Sequence, residues 1–316
     1  MVADDRGTAL VFPGQGSQWV GMGRDWADAH PLARETFAEA DEALGEPLSR
    51  LAWEGPDEEL QLTANAQPAI VAASVAVWRV ARAAGLRMKM TAGHSLGEYT
   101  ALVAAEALSF ADALRLVRRR GELMQEAVPV GVGAMAAILG PDAATVAAVA
   151  AEAARDQVCA VANFNAPAQT VIAGHRAAVE RAVELAQERG ARRAVMLPVS
   201  APFHSSLMAP AREALEPYLA ETAFADPRVP VVVNVDARPV DTAEAAREAL
   251  VRQVDSPVRW VESVEWMAAH GAARFVEIGP KAVLTAMIKR IAPGVEASAW
   301  TRPEELTAAV REGGDG

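Results

Sequence analysis

The stretch Met88-Lys-Met-Thr-Ala92-Gly93-His94-Ser95-Leu96-Gly97-Glu98 decides the fold, because its hydrophobic period changes at one sharp point. Residues 88–92 alternate as a strand does, and residues 98–107 are apolar at helical spacing. Between them, Gly93-His94-Ser95-Leu96-Gly97 fits G-x-S-x-G. A serine there is thrust out of the sheet on a strained strand-to-helix turn, and the flanking glycines permit the tight backbone. The helix N-terminus behind it offers backbone N–H groups to an oxyanion, with Leu96 N–H the natural donor. The bare pattern equally describes an ordinary turn with a capping serine. Lys89 falls in a strand expected to be buried, and no physical reason for it is apparent in the sequence.

Working outward, Thr8-Ala-Leu-Val-Phe12 is an apolar run stopped by Pro13-Gly14, which predicts a buried strand and a turn. Helical spacing covers 31–43 and 69–84, and Thr63-Ala-Asn-Ala-Gln-Pro68 between them reads as a turn and a helix start. Ser109-Phe-Ala-Asp112 is a capping box opening a helix to about Ala127. From Gly131 the rhythm becomes β-α-β-β-α-β: strand 134–139, helix 142–154, strands 158–163 and 169–173 around Asn165-Ala-Pro167, helix 177–187 and strand 193–197. That order is a ferredoxin-like unit. The α/β pattern then resumes with Pro230-Val-Val-Val-Asn234 and Ala273-Arg-Phe-Val-Glu-Ile278. The expected class is α/β. A hydrolase-like core with a parallel sheet (1–129 and 198–316) carries an inserted ferredoxin-like subdomain (130–197).

Composition narrows the function. The chain has 316 residues, is 52% hydrophobic and 22% charged, and carries a net charge of −11. Its length lies near the point where chains split into subdomains, and its apolar content suffices for a sizeable core. The acidic balance argues against nucleic-acid binding. A single cysteine, Cys159, makes no internal disulfide, so a reducing cytoplasm is expected. The polar, acidic start Met1-Val-Ala-Asp-Asp-Arg-Gly7 is unlike a signal peptide, apolar runs such as 67–78 and 131–140 are too short to span a bilayer, and the tail 311–316 reads as frayed.

Three further residue sets carry chemistry. Phe12-Pro-Gly-Gln-Gly-Ser-Gln18 fits neither a P-loop nor G-x-G-x-x-G and is a flexible turn after the first strand. Its Gln15 N–H is a candidate second oxyanion donor, at the sheet end where open α/β folds place ligands. Of five histidines, His30, His175 and His270 sit in polar contexts and are expected at the surface, while His94 shapes the serine turn. His204, after two stiffening prolines in Pro198-Val-Ser-Ala-Pro-Phe-His204, is either a base for the serine or a satisfied loop residue. Arg120 lies on the apolar stripe of Ala113, Leu116, Val117, Leu123, Met124 and Ala127, whereas Arg118 and Arg119 point elsewhere. A guanidinium there binds an anion, a carboxylate above all, or snorkels, or pairs with a protein carboxylate.

Together these pieces resemble the malonyl-CoA:acyl carrier protein transacylase family, which includes the acyltransferases of polyketide synthesis. The markers are Gly14-Gln-Gly-Ser-Gln18, Gly93-His-Ser-Leu-Gly-Glu98, Arg120-Gly-Glu-Leu-Met-Gln-Glu-Ala127, Asn163-Phe-Asn-Ala-Pro167, Pro198-Val-Ser200 with Phe203-His204, Val251-Arg-Gln-Val254 with Pro257, and Glu277-Ile-Gly-Pro280. The resemblance implies a ping-pong reaction. Ser95, activated by His204, takes malonyl from malonyl-CoA and yields it to the phosphopantetheine thiol of an acyl carrier protein. It further implies that Arg120 grips the malonyl carboxylate, that Gln15 and Leu96 form the oxyanion hole, and that backbone carbonyls orient the histidine. Gln253 would lie near that histidine and Gln67 would line the pocket, with His94 counted among the substrate-binding residues.

Similarity to malonyl-selective members implies that the Phe203 ring crowds an α-branch. Ala201-Pro202 and the Gly93-His-Ser-Leu-Gly97 form resemble discrete enzymes, while Gln18-Trp-Val-Gly-Met-Gly23 resembles synthase domains. Fatty acid synthesis and polyketide loading both stay open, as does transfer of another extender unit. A hydrolase on the same scaffold would need no carboxylate clamp, and a non-enzymatic binding module would be expected to have lost Ser95 or His204. No cofactor or metal, no membrane partner and a monomeric state are expected. Because a carrier protein is acidic, docking would need local basic clusters, with Arg192-Arg193, Lys281, Lys289 and Arg290 as candidates.

Overall fold

The computed structural model describes residues 7–199 and 201–306. The polar start, Ser200 of the Pro198-Val-Ser200 block and the tail 311–316 lie outside the described residues. Among the described residues ten strands build two sheets: β1 (Thr8–Phe12), β2 (Met90–Gly93), β3 (Gly133–Leu139), β4 (Cys159–Ala166), β5 (Gln169–His175), β6 (Arg193–Met196), β7 (Val231–Val233), β8 (Arg238–Val240), β9 (Arg274–Ile278) and β10 (Glu296–Trp300).

The first sheet has the order β10-β9-β1-β2-β7-β8, parallel except for the antiparallel edge strand β8. Its central strands are near-continuous apolar runs because helices cover both faces. The alternation within β1 sorts its side chains: Leu10 and Phe12 enter one core with the long helices, Ala9 and Val11 the other with Trp260, Val264 and Ile288. The second sheet, β4-β5-β3-β6, is antiparallel and is covered by the helices Ala143–Ala154 and Arg176–Glu188, which is the ferredoxin-like order. Among the described residues no helix is long and apolar enough to cross a membrane.

Three local readings change. Lys89 is exposed and precedes β2, with its Nζ donating to the carbonyl of His270 at 2.9 Å, so no charge is buried in the strand. The helix expected from 69 begins at Thr63 and runs through Pro68 to Ala83. Proline removes the amide that would have bonded to the Ala64 carbonyl, and Arg118 Nη1 satisfies that oxygen at 2.8 Å instead. The turn placed at Asn165-Ala-Pro167 lies at Pro167-Ala168, because two register shifts in β4 carry the strand on to Ala166.

Candidate active site

The site lies at the carboxyl ends of β1 and β2, where the strand-to-helix turns emerge. Gly97 lets these turns meet: a Cβ there would stand 2.1 Å from the carbonyl oxygen of Phe12. Ser95 sits at the apex of the second turn with φ 52°, a left-handed conformation that costs a non-glycine residue about 1–3 kcal/mol. His204 is held likewise at φ 58°.

Surrounding bonds hold the serine turn. Asn234, at the end of β7, accepts from Ser95 N–H at 2.6 Å and donates through Nδ2 to the Gly93 carbonyl at 2.7 Å. Asn234 is itself fixed, since its N–H donates to Glu98 Oε2 at 2.7 Å. Both are fully buried, and burial raises the Glu98 carboxyl to about 7, against the lowering effect of the Asn234 N–H.

Ser95 Oγ lies 2.7 Å from His204 Nε2. The other ring nitrogen, Nδ1, faces the carbonyls of Gln253 and Ser256 at 3.0 and 3.2 Å. Carbonyls only accept, so Nδ1 carries the proton and Nε2 is left to accept from the serine. Burial first, and the Arg120 charge second, push the His204 pKa down to about 3, which keeps the ring neutral and receptive at neutral pH. Among the described residues no carboxylate hydrogen-bonds to either member of this pair.

Arg120 reaches the same point from the helix Phe110–Glu126, which Ser109 caps by accepting from Asp112 N–H. That helix approaches Thr63–Ala83 closely at Gly121, where a Cβ would lie 2.6 Å from the Ala64 Cα. Arg120 is 2% exposed, so it does not snorkel, and among the described residues it forms no ion pair. Nη1 donates to Gln67 Oε1 at 2.9 Å, and Nη2 donates to Gln253 Oε1 at 3.0 Å and to Ser95 Oγ at 3.2 Å. Its Nε is buried with no acceptor among the described residues. A buried cation bonded only to neutral oxygens, beside a serine, is an anion site in waiting. Arg118 and Arg119 turn away from the site, to Glu46 and Glu122.

Gln15 is half-buried, with Nε2 on Thr63 Oγ1 at 3.1 Å, and Leu96 stands at the start of the helix Gly97–Ala104. Among the described residues neither the Gln15 nor the Leu96 N–H has an internal acceptor, whereas the N–H groups of Gly16, Ser95 and Gly97 do. Phe203 is half-buried beside His204. His94 points away from Ser95: Nε2 pairs with Asn165 Oδ1 at 2.8 Å, its ring meets Trp260 edge-on, and burial lowers its pKa. It fixes the turn against β4. Cys159 lies in the second sheet, its thiol pushed up to about 11 by burial. Asn234 and Asn165 were given no role from sequence; both stood in quoted segments, but nothing in a lone asparagine tells which turn it will bridge.

The residues 9–300 match the acyl transferase domain family, which defines the class as an acyltransferase. The malonyl CoA-acyl carrier protein transacylase of Escherichia coli (strain K12) is 52% identical over 303 residues, which is 96% of this chain and 98% of that one. The crystal structure of an acyl carrier protein S-malonyltransferase from Vibrio cholerae O1 biovar eltor aligns with a TM-score of 0.93 at 49% identity, covering 95% of this chain and 99% of that one. A type II PKS acyl-carrier protein complex with its malonyl-transacylase aligns at 0.95 and 48% identity, covering 97% and 99%. The chain belongs to the malonyl CoA-acyl carrier protein transacylase family.

Proposed function

We propose that this protein transfers malonyl from malonyl-CoA to the phosphopantetheine thiol of an acyl carrier protein, through an acyl-Ser95 intermediate. The observation that carries the reading is the buried, unpaired guanidinium of Arg120 within hydrogen-bond distance of Ser95 Oγ. His204 Nε2 takes the serine proton as Oγ bonds to the thioester carbonyl carbon. The resulting oxyanion is received by the Gln15 and Leu96 N–H groups, and CoA leaves with the proton from His204. The carrier thiol then repeats the sequence in reverse on the acyl-serine. Gln67 and Gln253 hold Arg120 ready for the malonyl carboxylate.

The chemistry asks for no metal or cofactor, since every proton and charge has a side chain or amide to receive it. We place the enzyme in the cytoplasm as a monomer without nucleic-acid partners, serving fatty acid or polyketide synthesis. Incubation with malonyl-CoA should add one malonyl group by intact-mass spectrometry, and the group should pass to an added holo carrier protein. Ser95→Ala should form no adduct. A wild-type protein that gains no malonyl and acylates no carrier overturns the reading.

A further inference from the structure

Arg120 does more in this arrangement than wait for a carboxylate. Nη2 has two N–H bonds, and both are used, one on Gln253 Oε1 and one on Ser95 Oγ. The carboxylate fork it could offer side-on pairs Nε, which is free, with Nη2, which is not. A two-pronged carboxylate must therefore displace one of the two present acceptors. Gln253 is the better anchored: its Nε2 donates to the Ser95 carbonyl at 3.0 Å, and its own carbonyl holds His204 Nδ1. The Ser95 contact is the longer of the two, at 3.2 Å against 3.0 Å.

We infer that Arg120 latches Ser95 Oγ in the free enzyme and that the carboxylate of the incoming acyl group releases it, so that recognition of the carboxylate switches on the nucleophile. The inference rests on the malonyl-transfer reading and deepens it. While Nη2 donates to Oγ, one of the oxygen's two lone pairs is held by a cation and is withdrawn from attack. Once the carboxylate takes Nη2, that lone pair is free and the hydroxyl keeps its bond to His204 Nε2. The Oγ–H proton then passes to Nε2, Oγ bonds to the thioester carbon, the C–S bond breaks, and the thiolate leaves with that proton.

The charges around His204 favour the same order. Arg120, from the helix Phe110–Glu126, and His94, from the serine turn, both oppose a proton on the ring. Glu98 and Tyr99, from the helix Gly97–Ala104, face Arg120. A substrate carboxylate on Arg120 offsets the larger opposing charge, so His204 becomes the stronger base when malonyl is bound. Acyl groups without a carboxylate leave the latch closed.

The test is the single-turnover acylation of the intact protein by saturating malonyl-CoA and by saturating acetyl-CoA, across pH. The latch requires that the limiting rate constant with acetyl-CoA be at least tenfold lower, not merely that its half-saturating concentration be higher. The midpoint of the acid limb should lie higher with malonyl-CoA than with acetyl-CoA. Arg120→Ala should raise the limiting acetyl rate constant and bring the two midpoints together. Equal limiting rate constants in the wild type, or coincident wild-type midpoints, overturn the latch while leaving malonyl transfer intact. Absence of any adduct overturns the transfer reading itself.

Discussion

Asn234 grips Ser95 from both sides of the turn, its Oδ1 accepting the Ser95 N–H at 2.6 Å and its Nδ2 donating to the Gly93 carbonyl at 2.7 Å. A serine at φ 52° persists only where its surroundings over-determine it. The side-chain amide of the residue just after β7, the strand beside β2, thus braces the residue that would perform the chemistry, and Glu98 holds Asn234 in place in turn by accepting its backbone N–H.

Replacing Asn234 with alanine leaves two buried backbone groups unmet, at about 1–3 kcal/mol each. The acylation rate constant is expected to fall by about 10–100-fold, the scale of one or two such bonds, with little change in the half-saturating malonyl-CoA concentration. Asn234→Asp keeps the acceptor and loses the donor, and should fall between. Stopped-flow acylation with a parallel denaturant melt separates the two effects. A stability loss with an unaltered rate constant would refute the clamp.

Glu98 supplies a stability test with a definite sign. Its carboxyl is raised to about 7 from an ordinary 4.5, chiefly by burial, so between these values the folded state holds a proton that the unfolded chain has lost. Stability from this group is therefore present below pH 4.5 and declines as pH rises to about 7, by on the order of 3 kcal/mol. Glu98→Gln keeps an acceptor for Asn234 N–H and removes the titration. Urea midpoints of the variant should be flatter than those of the wild type over this window. Identical slopes would show that Glu98 does not titrate there.

Phe203 bears on selectivity. It is half-buried next to His204 and packs against both the main core and the small cluster of Met135, Ala162, Val171 and Ala173 in the second sheet. If its ring crowds an α-methyl, Phe203→Ala should raise the methylmalonyl-to-malonyl ratio of acyl-enzyme about tenfold, since one methyl in an apolar pocket is worth about 1–3 kcal/mol. Competition between the two CoA esters, read by adduct mass, decides it. An unchanged ratio removes Phe203 from the specificity account.

Periodicity was enough for the strands and helices that frame the site, because β1, β2 and the Ser109-capped helix follow local rules of burial and capping. The stripe put Arg120 on the apolar face of its helix but left snorkelling and pairing with a protein carboxylate open, and only the packing around it buries the guanidinium. What escaped was long-range. The partners of Arg120 come from residues 67, 95 and 253, and no local pattern announces that three distant amides and hydroxyls will converge. The same holds for Asn165, which reaches back to His94 from another sheet. Lys89 misled because the alternation begins two residues before β2, and Pro68 misled because a side chain from another helix satisfies the carbonyl it orphans.

The net charge of −11 sets the last expectation, since an acidic carrier protein is repelled at long range and must be drawn in locally. Lys281, Lys289 and Arg290 are exposed around the helix Leu284–Ile291, and Arg290 Nη2 also donates to Gln169 Oε1 of β5 at 2.7 Å, so this patch lies where the two sheets adjoin. Arg192 and Arg193 form a second exposed pair at β6. Reversing Lys289 and Arg290 to glutamate should raise the KM for the carrier about tenfold at low salt, with the difference shrinking as salt screens it. Acylation of Ser95 by saturating malonyl-CoA should be unaffected, because neither residue touches the site. The same reversal at Arg192 and Arg193 gives the comparison, and whichever pair moves the carrier KM marks the docking face. If neither pair moves it, and salt has no effect, the carrier does not dock through these charges.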